Sequence, residues 1–145
     1  MKVILGADHG GFEMKESLKS WLVGEGYTVE DVGAANLVVD DDYVDYAKEA
    51  VKAVTSAGDR IILLCRNGFG MLIAANRYTG IRCGLAFDEE AVRKGRTDDD
   101  LNSLAIPSDY IGEENAKQMI EIFLKETSSR EDKYNRRIMK LDNLI

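Results

Sequence analysis

A cysteine stands where an apolar run meets a glycine-punctuated loop, in the stretch ILLCRNGFGML at residues 62–72. A free cysteine at the end of an apolar strand is most often a buried small hydrophobe. Cys65 has a second interpretation, because Gly68 and Gly70 free the following backbone amides to turn inward, and a helix beginning near Met71 would place its positive end close by. Both effects favour a thiolate, so Cys65 is a candidate base or nucleophile beside a candidate anion site.

Other polar residues that could do chemistry occur in three places. Asp8 and the single histidine, His9, follow an apolar run and precede two glycines, a pattern that fits a ligand site as well as a turn with a helix cap. The run Asp98-Asp99-Asp100 is more typical of a solvated loop than of a metal site. A basic segment near the end of the chain is more typical of a solvated helix face; it carries Arg130, Lys133, Arg136, Arg137 and Lys140.

Short apolar runs alternate with amphipathic segments along the whole chain. The predicted strands cover residues 2–7, 27–33, 60–65, 80–86 and 101–106, and the predicted helices cover residues 10–26, 43–54, 71–78, 88–96 and 112–126. In the second helix, Val44, Ala47, Val51 and Val54 are spaced for burial, and Cys83 in the fourth strand is assigned to the core. The alternation predicts an α/β fold, a Rossmann-like three-layer α/β/α sandwich with a five-stranded parallel sheet.

The carboxyl ends of parallel strands and the loops that follow them form the usual ligand crevice of such a fold. Asp8 and His9 follow the first predicted strand, and Cys65 ends the third. We expect these residues, together with residues 96–102 before the fifth strand, to lie at one edge of the sheet.

Composition limits the classes of protein. With 145 residues and 45% hydrophobic content, the chain suits one domain covering residues 1–145. The net charge of −7 argues against a nucleic-acid partner, and no apolar run is long enough for a membrane span. Two cysteines, both inside apolar runs, are expected to be reduced thiols of a cytoplasmic protein.

The motifs taken together resemble the type B ribose-5-phosphate isomerase family, with its galactose-6-phosphate isomerase relatives. The similarity rests on GADHGGFEMK at residues 6–15, DYVDYAKEAV at 42–51, LLCRNGFGMLIAANRYTGIRC at 63–83 and KYNRRIMKLD at 133–142. It implies an aldose-ketose isomerase that works on a small sugar phosphate through a cis-enediolate. It also implies that the enzyme uses neither metal nor organic cofactor, and is a homodimer with sites between the subunits.

The resemblance assigns roles to individual residues. It implies Cys65 as the base, the amides of residues 67–70 as the anion hole, Asp8 near the ring oxygen of the sugar and His9 near its phosphate. Asn67 and Asp98 stand at further catalytic positions. Substrate contacts are expected from Tyr43, Arg66, Gly68, Phe69, Gly70, Met71 and Asp99, and from Lys133 and Arg137 of a terminal helix at about residues 130–145 that packs on a partner subunit.

Three departures from the family pattern surround this predicted pocket. The family loop C-G-T-G is here Cys65-Arg66-Asn67-Gly68, so an amide that cannot easily relay a proton replaces a hydroxyl. The family sequence HND aligns with residues 98–100, where Asp98 is a poor proton donor at neutral pH. Asp109 stands where a phosphate-contacting arginine is common, so Arg66 is a candidate replacement for that positive charge.

These departures favour a changed substrate over a changed reaction. One hypothesis is a predominantly open-chain substrate such as a tetrose 4-phosphate, which cannot close a furanose ring through its phosphorylated oxygen. The alternative function is a non-catalytic sugar-phosphate or nucleotide binding protein on the same fold. In that case Cys65 is structural and Arg66 holds an anion permanently.

Overall fold

Residues 1–144 of the computed structural model form a parallel sheet with helices on both faces. The elements are β1 (Lys2–Ala7), α1 (Phe12–Gly24), β2 (Thr28–Asp31), α2 (Tyr43–Lys52), β3 (Arg60–Cys65), α3 (Phe69–Ala75), β4 (Cys83–Leu85), α4 (Glu89–Asp99), β5 (Ser103–Pro107), α5 (Glu113–Lys125) and α6 (Asp132–Asp142). Every strand pair is parallel and the strand order is β2-β1-β3-β5-β4. The predicted α/β/α fold is confirmed.

Successive side chains of the central strand β3 belong alternately to two separate hydrophobic cores. Ile62 and Leu64 pack with α1, α4 and α5 on one face of the sheet. Ile61, Leu63 and Cys65 pack with α2 and α3 on the other face. This is the period-two alternation of a strand that is buried on both sides. The side chain of Cys65 therefore lies on the α2/α3 face.

The strand order reverses between β1 and β3. From β1 the chain runs outward to β2 on one side, and it then returns to build β3, β5 and β4 on the other side. Ligands of open α/β sheets bind at such a reversal, outside the carboxyl ends of the strands. Here those ends carry Asp8 and His9 after β1, and Cys65 as the last residue of β3.

The segment before β5 lies at the opposite, amino-terminal edge, so its predicted place beside Cys65 within one chain is wrong. The register pairs Ile61 with Ser103 and Cys65 with Pro107. The four residue steps of β5 between those pairs span about 13 Å. Residues that precede a parallel strand lie at its start, and Asp98 and Asp99 are in the last turn of α4.

Helix boundaries and faces differ in detail from the sequence prediction. Helix α3 begins at Phe69, two residues earlier than expected, so Gly70 is helical. Val44 is 48% exposed and the prediction of its burial is wrong, because α2 presents Ala47 and Ala50 to the sheet instead. Within residues 1–144, no helix has the length and apolar character needed to cross a membrane.

Candidate active site

Asp8 is held in a tight turn at the end of β1. Its Oδ1 accepts hydrogen bonds from the N–H groups of Gly10 at 2.9 Å and Gly11 at 3.3 Å. A Cβ at Gly11 would lie 2.6 Å from Leu64, so the turn packs directly against β3. Burial raises the pKa of the Asp8 carboxyl, and the two amides offset this only in part. Asp8 is thus a buried carboxyl whose pKa lies closer to neutral pH than that of an exposed aspartate.

His9 is held at two points by Asp41, a residue that the sequence patterns did not single out. Oδ1 of Asp41 accepts a hydrogen bond from the backbone N–H of His9 at 2.9 Å and lies 2.7 Å from Nδ1 of its ring. Burial opposes ionisation of Asp41, but His9 and the Tyr46 hydroxyl together outweigh it and hold the pKa of this carboxyl below its ordinary value. Asp41 is therefore an ionised partner for the imidazole.

Cys65 is the last residue of β3, with only 4% of its surface exposed. Its carbonyl oxygen accepts a hydrogen bond from the N–H of Ser108 at 2.9 Å and lies 3.1 Å from the Ser108 hydroxyl. The same hydroxyl lies 2.9 Å from the carbonyl oxygen of Gly10. Ser108 thereby ties together the chain segments that follow β1, β3 and β5.

The loop after Cys65 is shaped by Gly68 and Asn67. Gly68 has φ +76°, and a Cβ there would lie 2.7 Å from a methyl group of Leu85, so both backbone conformation and space require glycine. Oδ1 of Asn67 accepts a hydrogen bond from the N–H of Phe69 at 3.0 Å. This bond uses one amide of the predicted anion hole. The side-chain NH₂ of Asn67 has no hydrogen bond with the residues that the structure describes, so it is free to donate to a ligand.

Helix α2 brings Tyr43 beside this loop. A Cβ at Gly70 would lie 2.7 Å from Cζ of Tyr43, so the ring lies directly over the glycine. Phe69 and Tyr43 are both exposed, whereas Met71 is fully buried in the core. Met71 can therefore contact a substrate only through its backbone amide.

A cavity of about 480 Å³ opens at the carboxyl edge, lined by His9, Gly10, Glu13, Met14, Leu37, Val39, Arg66, Ser108 and Asp109. A Cβ at Gly10 would lie 2.4 Å from Cγ of Arg66, so the arginine stem crosses over this glycine. The Arg66 side chain is 63% exposed, and its Nη1 lies 3.5 Å from Oδ2 of Asp109. The single cation of the cavity wall is thus opposed by the carboxylates of Asp109 and Glu13.

Of the predicted site residues, His9 and Arg66 line this cavity. Four others lie away from the carboxyl edge within one chain. Asp98 accepts a hydrogen bond from the Thr97 hydroxyl at 2.8 Å, and Asp99 lines a separate cavity at the amino edge. In α6, Lys133 pairs with Glu131, and both Lys133 and Arg137 lie over the ring of Tyr134. Only a second copy of the chain could bring these side chains to Cys65.

Two features beyond Asp41 escaped the sequence prediction. Ser108 follows β5 directly, so the rule that polar residues after parallel strands form the crevice could have identified it. Lys15 was not recognised because a lysine is rarely fully buried. Its ammonium lies 2.6 Å from Oδ2 of Asp31, on the α1 side of β1. The pairing of two distant charges has no signature in a single sequence.

The family model described as Ribose/Galactose Isomerase matches residues 3–141. This chain belongs to that family. A crystal structure of a ribose 5-phosphate isomerase from Thermotoga maritima superposes with a TM-score of 0.91 at 40% identity, covering 97% of both chains. The predicted family and fold are confirmed.

Two curated relatives carry different substrate names. The ribose-5-phosphate isomerase B of Escherichia coli is 35% identical over 124 residues, which are 85% of this chain and 83% of the relative. The 4-deoxy-4-sulfo-D-erythrose isomerase of Clostridium sp. (strain MSTE9) is 33% identical over 125 residues, 86% of this chain and 79% of the relative. The names of these two relatives thus differ in the anionic group of the sugar, which is a phosphate in one and a sulfo group in the other.

Proposed function

We propose that this member of the family is an aldose-ketose isomerase that acts through a cis-enediolate with Cys65 as the base. The observation that carries the proposal is the position of Cys65 at the reversal of strand order, where the neighbouring strand β1 ends in the buried carboxyl of Asp8 and the next residue, Arg66, lines the cavity. Isomerisation requires a base for a carbon-bound proton, donors for the developing oxyanion and a cation for the terminal anion. Each requirement has a candidate group at this edge.

The steps follow from these groups. The Cys65 thiolate removes the proton from the carbon next to the carbonyl, and the electron pair moves to the carbonyl oxygen to give the enediolate. In this proposal the free NH₂ of Asn67 and the amide of Gly70 donate to that oxyanion. The thiol then returns its proton to the neighbouring carbon. Asp8, whose pKa is raised by burial, is suited to exchange a proton with a substrate hydroxyl.

A second copy of the chain completes the site in this proposal. Exposed apolar side chains lie on the neighbouring helices α2 and α3, namely Tyr43, Val44, Phe69 and Ile73. Contiguous exposed apolar surface of this kind is typical of a subunit interface. A partner packed there would bring Lys133 and Arg137 to the terminal anion and Asp98 and Asp99 to the sugar hydroxyls. This gives the basic helix α6 of an acidic protein an anionic target.

The substrate that fits best is a four-carbon sugar with an anionic group on its last carbon. The segment 98–100 has no imidazole with which to open a furanose ring, and a tetrose with a substituted fourth carbon has no such ring to open. Within the cavity, Asp109 and Glu13 oppose the charge of Arg66, which favours a singly charged terminal group over a doubly charged phosphate. The sulfonate named for the Clostridium relative is such a group.

The test is a substrate panel followed by proton NMR. It contains 4-deoxy-4-sulfoerythrose, erythrose 4-phosphate, ribose 5-phosphate, allose 6-phosphate and galactose 6-phosphate, with wild type, Cys65→Ala and the control Cys83→Ala. We expect conversion of the four-carbon substrates to their ketoses by wild type and the control, and loss of conversion in Cys65→Ala. Folded wild type that binds these sugars without converting any of them would make the protein a binding protein. Faster turnover of ribose 5-phosphate than of both tetroses would refute the substrate assignment alone.

A further inference from the structure

We propose that residues 34–40 form a flap that closes over the cavity lined by Arg66, and that two side chains of the flap, Leu37 and Val39, select the terminal group of the substrate. This role rests on the proposed function for the identity of the substrate, whereas closure of the flap on an anion can be measured without turnover.

The flap is anchored at both ends. At its start, Oδ1 of Asp31 accepts a hydrogen bond from the N–H of Gly33 at 2.9 Å, and Oδ2 of Asp31 lies 2.6 Å from the ammonium of the buried Lys15. A Cβ at Gly33 would lie 3.0 Å from the Lys15 side chain, so this glycine packs directly on it. At the other end, Oδ1 of Asp41 accepts a hydrogen bond from the backbone N–H of His9 at 2.9 Å. The chain on either side of the flap is therefore fixed to the body of the domain.

Between these anchors the flap is held weakly. Apart from the turn at residues 39–40, it makes no hydrogen bond with the rest of residues 1–144. Leu37 is 52%, Val38 47% and Val39 73% exposed, so three consecutive aliphatic side chains bury little of their surface. Asp40 has a φ of +64°, which turns the chain sharply next to the second anchor. A segment with so few hydrogen bonds and so little buried surface moves at low cost relative to the domain.

Two of these side chains form an apolar wall of the cavity. Leu37 and Val39 line it together with Met14, whereas the remaining lining is mostly polar and includes His9 and Arg66. A terminal anion that binds Arg66 in this cavity is therefore bordered by aliphatic carbon on the side of the flap. Closure buries the exposed surface of Leu37 and Val39 against the ligand, and this burial of apolar surface drives the movement.

The chemistry of this wall favours a weakly hydrated anion. A phosphate ester at neutral pH carries up to two charges on three strongly accepting oxygens, and aliphatic side chains donate no hydrogen bond to them. A sulfonate carries one charge spread over three oxygens, so it loses less hydration free energy beside such a wall. Leu37 and Val39 thus favour the same terminal group as Asp109 and Glu13 do, but through desolvation instead of charge.

Selectivity tests the role of the two side chains. Val39→Thr keeps the branched shape and adds a hydroxyl donor, and Leu37→Asn adds an amide donor. In each variant, kcat/KM for erythrose 4-phosphate relative to the sulfonated tetrose should rise about tenfold, mainly through KM. The matched control is Val38→Thr, since Val38 is exposed to a similar extent as Leu37 but is not among the residues that line the cavity. It should keep the wild-type ratio.

Limited proteolysis tests closure without turnover. Thermolysin cleaves on the amino side of leucine and valine, so it should cut the free protein within residues 36–39, where the flap is exposed. The probes are ethanesulfonate and ethyl phosphate at equal concentration and ionic strength, with cleavage of casein as the control for inhibition of the protease. We expect ethanesulfonate to slow the cut in the flap about fivefold and ethyl phosphate to slow it less.

The two experiments decide separate claims. An unchanged selectivity ratio in Val39→Thr and Leu37→Asn, or an equal change in Val38→Thr, would overturn the assignment of specificity. Cleavage of the flap that neither probe slows, or that both slow equally, would overturn its closure on a singly charged group. Cleavage that falls with protein concentration and not with the probes would make the flap a subunit contact instead. Slowed cleavage in a folded wild type that converts no sugar would refute the proposed function alone and support the flap.

Discussion

The two edges of the sheet both carry clusters of charge, but the clusters are connected differently. At the amino edge, Arg96 is 3% exposed, and its guanidinium donates to Oδ1 of Asp100 at 2.7 Å and to the carbonyl oxygens of Leu101 and Glu126. At the carboxyl edge, Arg66 is largely exposed and makes one contact of 3.5 Å with Asp109. The first arginine has its donors occupied and the second has most of them free.

The difference shows how the same residue types serve stability in one place and binding in another. Arg82 continues the amino-edge network by pairing with Asp100 and with Asp142 of α6, so that edge fastens α4 and α6 to the sheet. A charge whose partners are all provided by the protein has no capacity left for a ligand. The free donors of Arg66 and Asn67 are what a substrate requires.

The largest effect should come from removing the thiol at the carboxyl edge. Cys65→Ala should lower kcat by about a thousandfold, because a positioned base is lost while a small side chain still fills the end of β3. Initial-rate assays with the preferred sugar and circular dichroism of both proteins check this. Residual activity within tenfold of wild type in a folded variant would transfer the role of base to another group.

Mixing two inactive variants should restore activity if the site is shared between subunits. Cys65→Ala and Arg137→Ala each damage both sites of their own dimers, but each mixed dimer contains one undamaged site. Random exchange should therefore recover about a quarter of wild-type activity. Native mass spectrometry confirms that mixed dimers have formed. No recovery in their presence would show that Arg137 does not act from the partner.

Breaking the amino edge should lower stability. Arg96→Ala leaves Oδ1 of Asp100 and two carbonyl groups without their donor, and we expect a loss of about 3 kcal/mol in the free energy of unfolding. Urea denaturation measures it. Arg93→Ala on the same helix is the control, since this exposed arginine pairs with Glu126 at the surface and should cost less than about 1 kcal/mol. Equal losses of unfolding free energy in the two variants would show that the buried Arg96 network stabilises the fold no more than the exposed Arg93 pair.

Changing the charge opposite Arg66 should alter selectivity more modestly. Asp109→Asn removes the carboxylate that opposes a dianion, so kcat/KM for erythrose 4-phosphate should rise about fivefold relative to the sulfonated tetrose. The ratio of the two kcat/KM values, measured at fixed ionic strength, is the readout. An unchanged ratio would show that Asp109 does not contribute to recognition of the terminal group.

The smallest effect concerns the second thiol. Burial raises the pKa of Cys83 to about 12, so at about pH 8 it is a protonated thiol and should not react with iodoacetamide in the folded protein. Peptide mapping should find the label on Cys65 alone, with protection by substrate. Labelling of Cys83 at the rate of Cys65 would remove this distinction between a core thiol and a site thiol.

The residues of the carboxyl edge could be predicted from the sequence where they directly follow a recognisable strand. The apolar runs before Asp8 and Cys65 mark strands β1 and β3, and the parallel topology brings their ends together. The same rule should have placed residues 98–100 at the amino edge, since they precede a strand. Asp41 could not be found this way, because it lies in an irregular loop whose path depends on contacts made elsewhere in the fold.

Proton exchange with solvent tests the central claim most directly. With the preferred sugar in deuterated water, wild type should introduce deuterium at the carbon next to the carbonyl during conversion, and Cys65→Ala should lose both the conversion and the exchange. This result would place the carbon-bound proton on Cys65 in an enediolate mechanism. Deuterium entering at the wild-type rate in Cys65→Ala would contradict the assignment of the base to the carboxyl end of β3.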